Sequence, residues 1–325
     1  MSAATSAHPA QHVSRPAGPP LNPAPTPPLT RNTVPGTAQN TSQDVALELE
    51  QARKTGPLRQ IQIPPCPDLL VRLQAAMAQP EPDLNEVARI ASSDVAICAT
   101  LLRQANGPLH AGTQPVHTVG QAMNRLGLDT TAALLTAFLL RHAIPVDHPQ
   151  LRRFWERSAL RAAALHFIAR QLPGLDPDLA HLYGLFSHVG QPVLLQCVRG
   201  YGSTLVEAAA RIDRPFIATE NANHRTDHAV VGALVARTWH VAPPVVAAIR
   251  LHHDLTLLGG SRTDAEVQTL VAAGLLAEHL VRQHEGLEAE ADWQQHAGAA
   301  LQWLGFSTDD LADWQPLLQA ELEAV

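Results

Sequence analysis

From about residue 58 to the C-terminus, apolar side chains recur with the period of a helix and never settle into alternation. Leu84, Val87, Ala88 and Ala91 keep the i, i+3, i+4, i+7 spacing, and Val95, Cys98, Ala99 and Leu102 repeat it. Residues three and four apart share a helix face, whereas residues two apart share a strand face, so the pattern commits the chain to packed helices. No hairpin dipeptide separates strand-like runs. The expectation is an all-α fold, with further helices over 128–142, 154–171, 228–239, 243–253, 266–284 and 309–323. Ile97 and Leu101 make the 95–105 segment apolar nearly all round, which predicts a central helix with Leu102 in the core. Ser92-Ser93-Asp94 supplies its N-cap, and Pro243-Pro244 suits the first turn of a helix.

The 325 residues include 46% hydrophobic and 16% charged side chains, enough to build a sizeable core. Residues 1–43 stand apart: nine of the 26 prolines, no acid, and only Arg15 and Arg31 as basic residues. Such a segment has little to bury and reads as a disordered Pro/Ala/Thr-rich tail. A short helix and linker follow over 44–57. Ile144-Pro145-Val146-Asp147-His148-Pro149 cannot continue a helix and divides the folded part into lobes, about 58–143 and 150 onward. The net charge of −7 lacks the basic surplus of a dedicated nucleic-acid binder. Residues 264–325 hold 12 acids against Arg282 alone, a face that repels phosphate backbones. The longest apolar run, 130–140, is much shorter than the ~20 residues of a spanning helix, so no membrane partner is expected. Cys66, Cys98 and Cys197, odd in number and far apart, offer no disulfide framework and point to a reducing cytoplasm.

Ile63-Pro64-Pro65-Cys66-Pro67, a helix, Ile90-Ala91-Ser92-Ser93-Asp94, Leu101-Leu102-Arg103-Gln104-Ala105-Asn106, and Gln121-Ala122 before Leu126-Gly127 follow one another in order. So do Phe154-Trp155-Glu156-Arg157-Ser158, Tyr183-Gly184-Leu185, Asp227-His228-Ala229-Val230-Val231-Gly232, Trp239 and His252-His253. This succession resembles the HDOD domain, a bacterial signalling module related to the HD phosphohydrolases. The resemblance covers about 58–285, in lobes of about 58–143 and 150–285, and leaves 286–325 as an acidic helical extension. It implies an all-helical two-lobed regulatory domain.

Catalytic HD relatives hold divalent ions with a first-helix histidine, an adjacent His-Asp pair and a late aspartate. Carried over by position, the first histidine falls on Arg157, the pair on Ser187 and His188, and the late aspartate near Leu275. A guanidinium repels a divalent ion and leucine cannot ligate one. His228, His252 and His253 remain at matching positions. Arg157, Ser187, His188, His228, His252 and His253 are therefore candidates for lining a ligand pocket. The expectation is no catalytic residue, no metal and no cofactor, with the histidines hydrogen-bonded in a vestigial pocket. His224, four residues before His228, suits a metal pair by spacing, but Thr226 and Asp227 read as a helix cap that leaves it outside the turn.

Other signals favour structural roles. The hairpin of 84–91 and 95–105 has the outline of a helix-turn-helix, yet its second helix offers apolar side chains where base edges need polar ones. Ser187-His188 lacks the glycine and strand of a nucleophile elbow, and neighbours on a helix point apart. Asn106 suits a helix C-cap or a bond to the next loop, and Trp155 and Trp239 read as core anchors. The expected function is non-enzymatic regulation, by binding a signalling protein in trans or a small ligand. A divergent HD-type phosphohydrolase using the histidines, and a structural scaffold, are the competing classes.

Overall fold

The structure, a computed structural model, describes residues 40–323 except 55, 108, 109, 111, 112 and 212. The tail expected over 1–43 lies outside them up to residue 39. Every regular element among the described residues is helical, and no strand occurs. No described helix is long and apolar enough to cross a membrane.

The N-terminal half runs through α1 (Thr41–Lys54), α2 (Asp68–Met77), α3 (Leu84–Ala91), α4 (Val95–Ala105), α5 (Val119–Leu126) and α6 (Leu128–Ala143). Aspartates start the hairpin: Asp83 accepts from the amides of Asn85 and Glu86, and Asp94 from those of Ala96 and Ile97. Thr118 and Gln121 close a reciprocal capping box on α5. Asn106 caps α4, and its side chain pairs with both Val116 backbone groups at 2.9 Å, tying down the loop.

The predicted core stripe of this hairpin needs correction. α3 buries Val87, Ile90 and Ala91 while Leu84 is exposed, and α4 buries Ile97, Leu101 and Ala105. Val95 is 86% exposed and Leu102 only partly buried, so α4 is a peripheral helix with one buried stripe. Two apolar stripes compete on α4, and only docking against α5 and α6 selects between them.

After the irregular 144–148 connector come α7 (Phe154–Gln171), α8 (Pro177–Phe186), α9 (Gly190–Cys197), α10 (Tyr201–Ala210), α11 (Phe216–His224), α12 (His228–Thr238), α13 (Pro243–Leu251) and α14 (Ala265–His284). α7 packs along α8 and α14, and α12 packs on α9 and α13. Trp239 is fully buried, its indole N–H donating to the Pro64 carbonyl at 2.8 Å, so it anchors the two halves together. Trp155 is less of an anchor than expected: it is partly buried and its indole nitrogen has no hydrogen-bond partner among the described residues.

Both ends of the described chain fold back on this body. α1 starts at Thr41, earlier than the expected 44, because the Thr41 amide donates to Asp264 at 2.9 Å while the Asp264 amide donates to the Thr41 hydroxyl. Val45 and Leu49 are buried and Glu48 pairs with Arg250 on α13. α15 (Ala291–Leu304) packs on α14, and α16 (Thr308–Glu323) on α7. One continuous core links all of these helices.

Candidate functional site

Four histidines meet where three helix ends converge. His188 lies in the turn between α8 and α9, and His228 is the first residue of α12. His252 and His253 directly follow α13. Asp227 starts α12 by accepting the Val230 amide at 2.9 Å, and its other oxygen accepts from Asn221. The C-terminal ends of α8 and α13 carry the negative pole of their peptide dipoles toward the cluster. Close approach of α9 to α12 requires a glycine. A Cβ on Gly190 would sit 2.1 Å from the His228 carbonyl oxygen and 2.7 Å from the Gly232 amide. This contact sets His188 against His228, their rings nearly parallel at 5.2 Å between centroids.

Each histidine is held through Nδ1. His228 Nδ1 lies 2.6 Å from a Glu220 carboxylate oxygen, His253 Nδ1 2.9 Å from Asp292, and His252 Nδ1 2.7 Å from the Ile249 carbonyl. These partners only accept, so each of the three Nδ1 atoms carries the hydrogen. His188 Nδ1 lies 2.9 Å from the Ser187 hydroxyl. The free Nε2 atoms face inward: His228 Nε2 is 3.2 Å from Nε2 of both His252 and His253. One nitrogen from each of the four rings lies within 4.8 Å of the others, a spacing able to hold a metal ion. Glu220, wholly buried, also accepts a short hydrogen bond from the Tyr201 hydroxyl, forming a Tyr–Glu–His chain behind the cluster.

Burial pushes His188 and His252 well below the ordinary histidine range, reinforced at His188 by Arg161 and at His252 by His253. Burial acts the same way on His228, but the Glu220 carboxylate outweighs it and raises the pKa. Beside the cluster, Arg161 on α7 bonds Glu278 of α14, and Arg157 pairs with Glu278 at 2.8 Å and Glu285 at 3.0 Å. Burial alone would raise the pKa of Glu278, yet Arg161 and Arg157 outweigh it and hold the group ionised. A cleft of about 880 Å³ leads to the histidines, lined among others by Arg157, Arg161, Arg214, His188, His228 and His253. A small recess of about 40 Å³ adjoins it, with His188, His252, His253, Leu275 and Asp292 in its wall.

The fold thus gathers five of the six candidates, Ser187, His188, His228, His252 and His253. Arg157 stays on the cleft wall in its carboxylate pairs, and the guanidinium whose charge acts on the rings is Arg161, one turn later. Leu275 does face the recess. His224 lies on α11, bonded to Thr204 at 2.8 Å and outside the cluster, as its position before the cap implied. Ser187 and His188 do bond each other, contrary to expectation, because they occupy a turn rather than helix interior. Ser187 is buried and also contacts the Gly184 carbonyl.

Glu220, Asp292, Arg161, Glu278 and Tyr201 were not found by motif. The i, i+4 repeat of Arg157 and Arg161, with Glu278 three residues beyond Leu275, is the one sequence signal that points to any of them. Asp292 comes from the segment read as a separate extension.

The HDOD domain family matches residues 63–255, from the Pro-rich entry to α2 through the His252-His253 pair. A Treponema pallidum (strain Nichols) protein without a functional name is 23% identical over 265 residues, 81% of this chain and 50% of that protein. The chain therefore spans about half the length of that curated relative. Among solved structures, one from Marinobacter aquaeolei VT8, provisionally named a signal transduction protein, superposes with a TM-score of 0.66 at 19% identity, covering 88% of this chain and 65% of that one. An HDOD domain protein of unknown function from Geobacter sulfurreducens gives 0.60 at 20% identity over 87% and 97% of the two chains. A Shewanella amazonensis SB2B protein, provisionally named a phosphohydrolase, gives 0.63 at 18% identity over 86% and 97%. At such identities the structures speak for the fold alone. The family match covers more than half of the sequence and includes all four converging histidines: the chain belongs to the HDOD domain family.

Proposed function

We propose that this protein is a non-catalytic signalling regulator, which works by binding a partner protein or a small ligand at the cleft that ends on the histidines. The observation that carries this reading is the ion-paired lattice of Arg157, Arg161, Glu278 and Glu285 between α7 and α14. It occupies the side of the site from which catalytic relatives would supply a histidine and an aspartate. Two-metal hydrolysis needs ions close enough to share bridging oxygens. Among the described residues, no carboxylate oxygen belongs to the inner nitrogen cluster that could bridge such a pair. The cleft suits recognition: Arg161 Nη1 is buried without a hydrogen-bond partner among the described residues, a donor that an anionic group on a ligand can use. A ligand of this kind regulates only by binding one packing of the helices better than another. Three free cysteines, all partly buried, accord with a reducing cytoplasm.

The competing reading, a divergent phosphohydrolase, draws on the opening of the same cleft onto His188, His228 and His253. The test is incubation of the full chain with nucleoside phosphates, cyclic dinucleotides and an activated aryl phosphodiester, with manganese, iron or zinc added. The substrates are expected to remain intact. Turnover that disappears in His228→Ala and His253→Ala, with helicity and melting temperature retained, overturns the regulatory reading.

A further inference from the structure

We infer that the four imidazoles hold one borderline transition-metal ion of the zinc, cobalt(II) or nickel(II) class, through converging Nε2 atoms, in a closed site. The inference rests on hydrogen positions. Nδ1 of His228, His252 and His253 each faces an obligate acceptor, so in the neutral rings the three Nε2 atoms are bare lone pairs. Two such contacts, each 3.2 Å long, share His228 Nε2. Lone pairs aimed at one another at that distance repel unless something positive lies between them. A single proton on His228 Nε2 can point at one of its two neighbours and leaves the other contact unrelieved. A single cation relieves both and uses His188 as well.

The dimensions suit the ion. Ligands about 2.0–2.1 Å from a tetrahedral centre lie about 3.3 Å apart, close to the two 3.2 Å separations. The wider pairs, up to 4.8 Å, close by small ring rotations. His188 brings Nε2, since its Nδ1 is engaged by Ser187. The charge suits it too. Four neutral imidazoles leave a dication uncompensated, and Glu220 and Asp292, each one hydrogen bond behind a ligand, supply two negative charges. This carboxylate–histidine arrangement orients the ring and raises the basicity of the coordinating nitrogen. Arg161, the fixed cation whose charge acts on the rings, is tied to Glu278.

An all-nitrogen set selects ions that favour imidazole over those that demand oxygen, so magnesium, calcium and manganese bind poorly. With four protein ligands no position stays open for water, which is the signature of a structural or sensing ion. The ion joins the α8–α9 turn, the start of α12 and the end of α13, and through Glu220 and Asp292 it reaches α11 and α15. These elements border the cleft together with α7, α10 and α14.

The experiment uses untagged full-length protein, stripped with a chelator and then titrated with zinc or cobalt(II). One ion per chain is expected, with the intense visible bands of tetrahedral cobalt and a rise in melting temperature on adding zinc, but none with magnesium. His228→Ala and His252→Ala should lose the cobalt spectrum. Glu220→Gln and Asp292→Asn should keep it with affinity lowered about 10- to 100-fold. His224→Ala, outside the cluster, should bind as the parent does. If a ligand variant fails to fold, the parent protein and the two carboxylate variants still decide. No stoichiometric binding to the stripped parent, an octahedral cobalt spectrum, or affinity unchanged in Glu220→Gln and Asp292→Asn would each overturn the inference. None of these results touches the regulatory reading, because no readout depends on signalling or turnover.

Discussion

Replacing Gly190 by alanine sets two well-known effects against each other. Gly190 opens α9 with an ordinary negative φ, since it is absent from the residues of left-handed backbone. On helix propensity alone, alanine there should stabilise the protein by up to about 1 kcal/mol. Packing predicts the reverse. The added Cβ would lie 2.1 Å from the His228 carbonyl oxygen, 2.7 Å from the Gly232 amide nitrogen and 2.8 Å from the His228 carbonyl carbon. All three are backbone atoms of α12, so no side chain can swing aside. Relief requires α9 and α12 to separate by about an ångström along a fully buried interface, and overpacking of that kind costs about 1–3 kcal/mol or more. The expected net loss is about 2 kcal/mol, or a melting temperature lower by roughly 4–8 °C. Urea and thermal unfolding of the two proteins measure it, and the urea slope should stay the same. The same separation draws His188 from His228, so the ring-proton resonances of both should move. Gly232→Ala is the milder comparison on the same interface, because its Cβ would meet the Gly190 amide nitrogen and Ile249 Cγ2 only at 3.3 Å and Val189 Cγ1 at 3.7 Å, so a clearly smaller loss is expected. A Gly190→Ala protein as stable as the parent would falsify the close approach of these helices and with it the placement of His188.

Other expectations are simpler. Leu101→Ala should cost about 2–5 kcal/mol by lost burial and cavity formation, because Leu101 is 1% exposed; Leu102→Ala should cost clearly less, and equal losses in urea melts would contradict the stripe assigned to α4. Leu49→Ala should likewise cost about 2–5 kcal/mol, since Leu49 is fully buried against the body; a neutral result would mean that α1 is dispensable. Burial, followed by the charge of neighbouring His166, lowers His181 from the ordinary 6.5 to about 4. The unfolded chain therefore takes up this proton first. The contribution is intact above pH 6.5 and is lost as pH falls toward 4, by at most about 3 kcal/mol at 1.4 kcal/mol per unit. Partial exposure of the ring reduces that ceiling. Between pH 7 and 4 the parent should lose up to about 3 kcal/mol relative to His181→Leu, whose curve lacks this proton uptake, and parallel curves would refute the shift.

Much of this molecule is written locally. Helical spacing, caps at Asp83, Asp94, Thr118 and Asp227, and the Pro-rich connector before α7 depend on residues a turn or less apart, and α7 runs over the predicted 154–171. His228, His252 and His253 could be singled out because motifs keep them at fixed distances from helix ends. Interactions with no sequence proximity were not legible. α4 carries two apolar stripes of similar quality, and only the helices it meets decide that Leu101 rather than Leu102 is covered. Asp292 reaches His253 across 39 residues and Arg157 reaches Glu278 across 121. Composition marked the first of these acids as part of an acidic surface. The sequence by itself determined that the chain folds into helices and where several of them begin, as at Asp94 and Asp227, since that free energy comes from neighbours along the chain. The tertiary structure alone decided which carboxylates lie behind the histidines and which way their nitrogens face, because burial forces every polar group to find a partner wherever the packed helices bring one within reach.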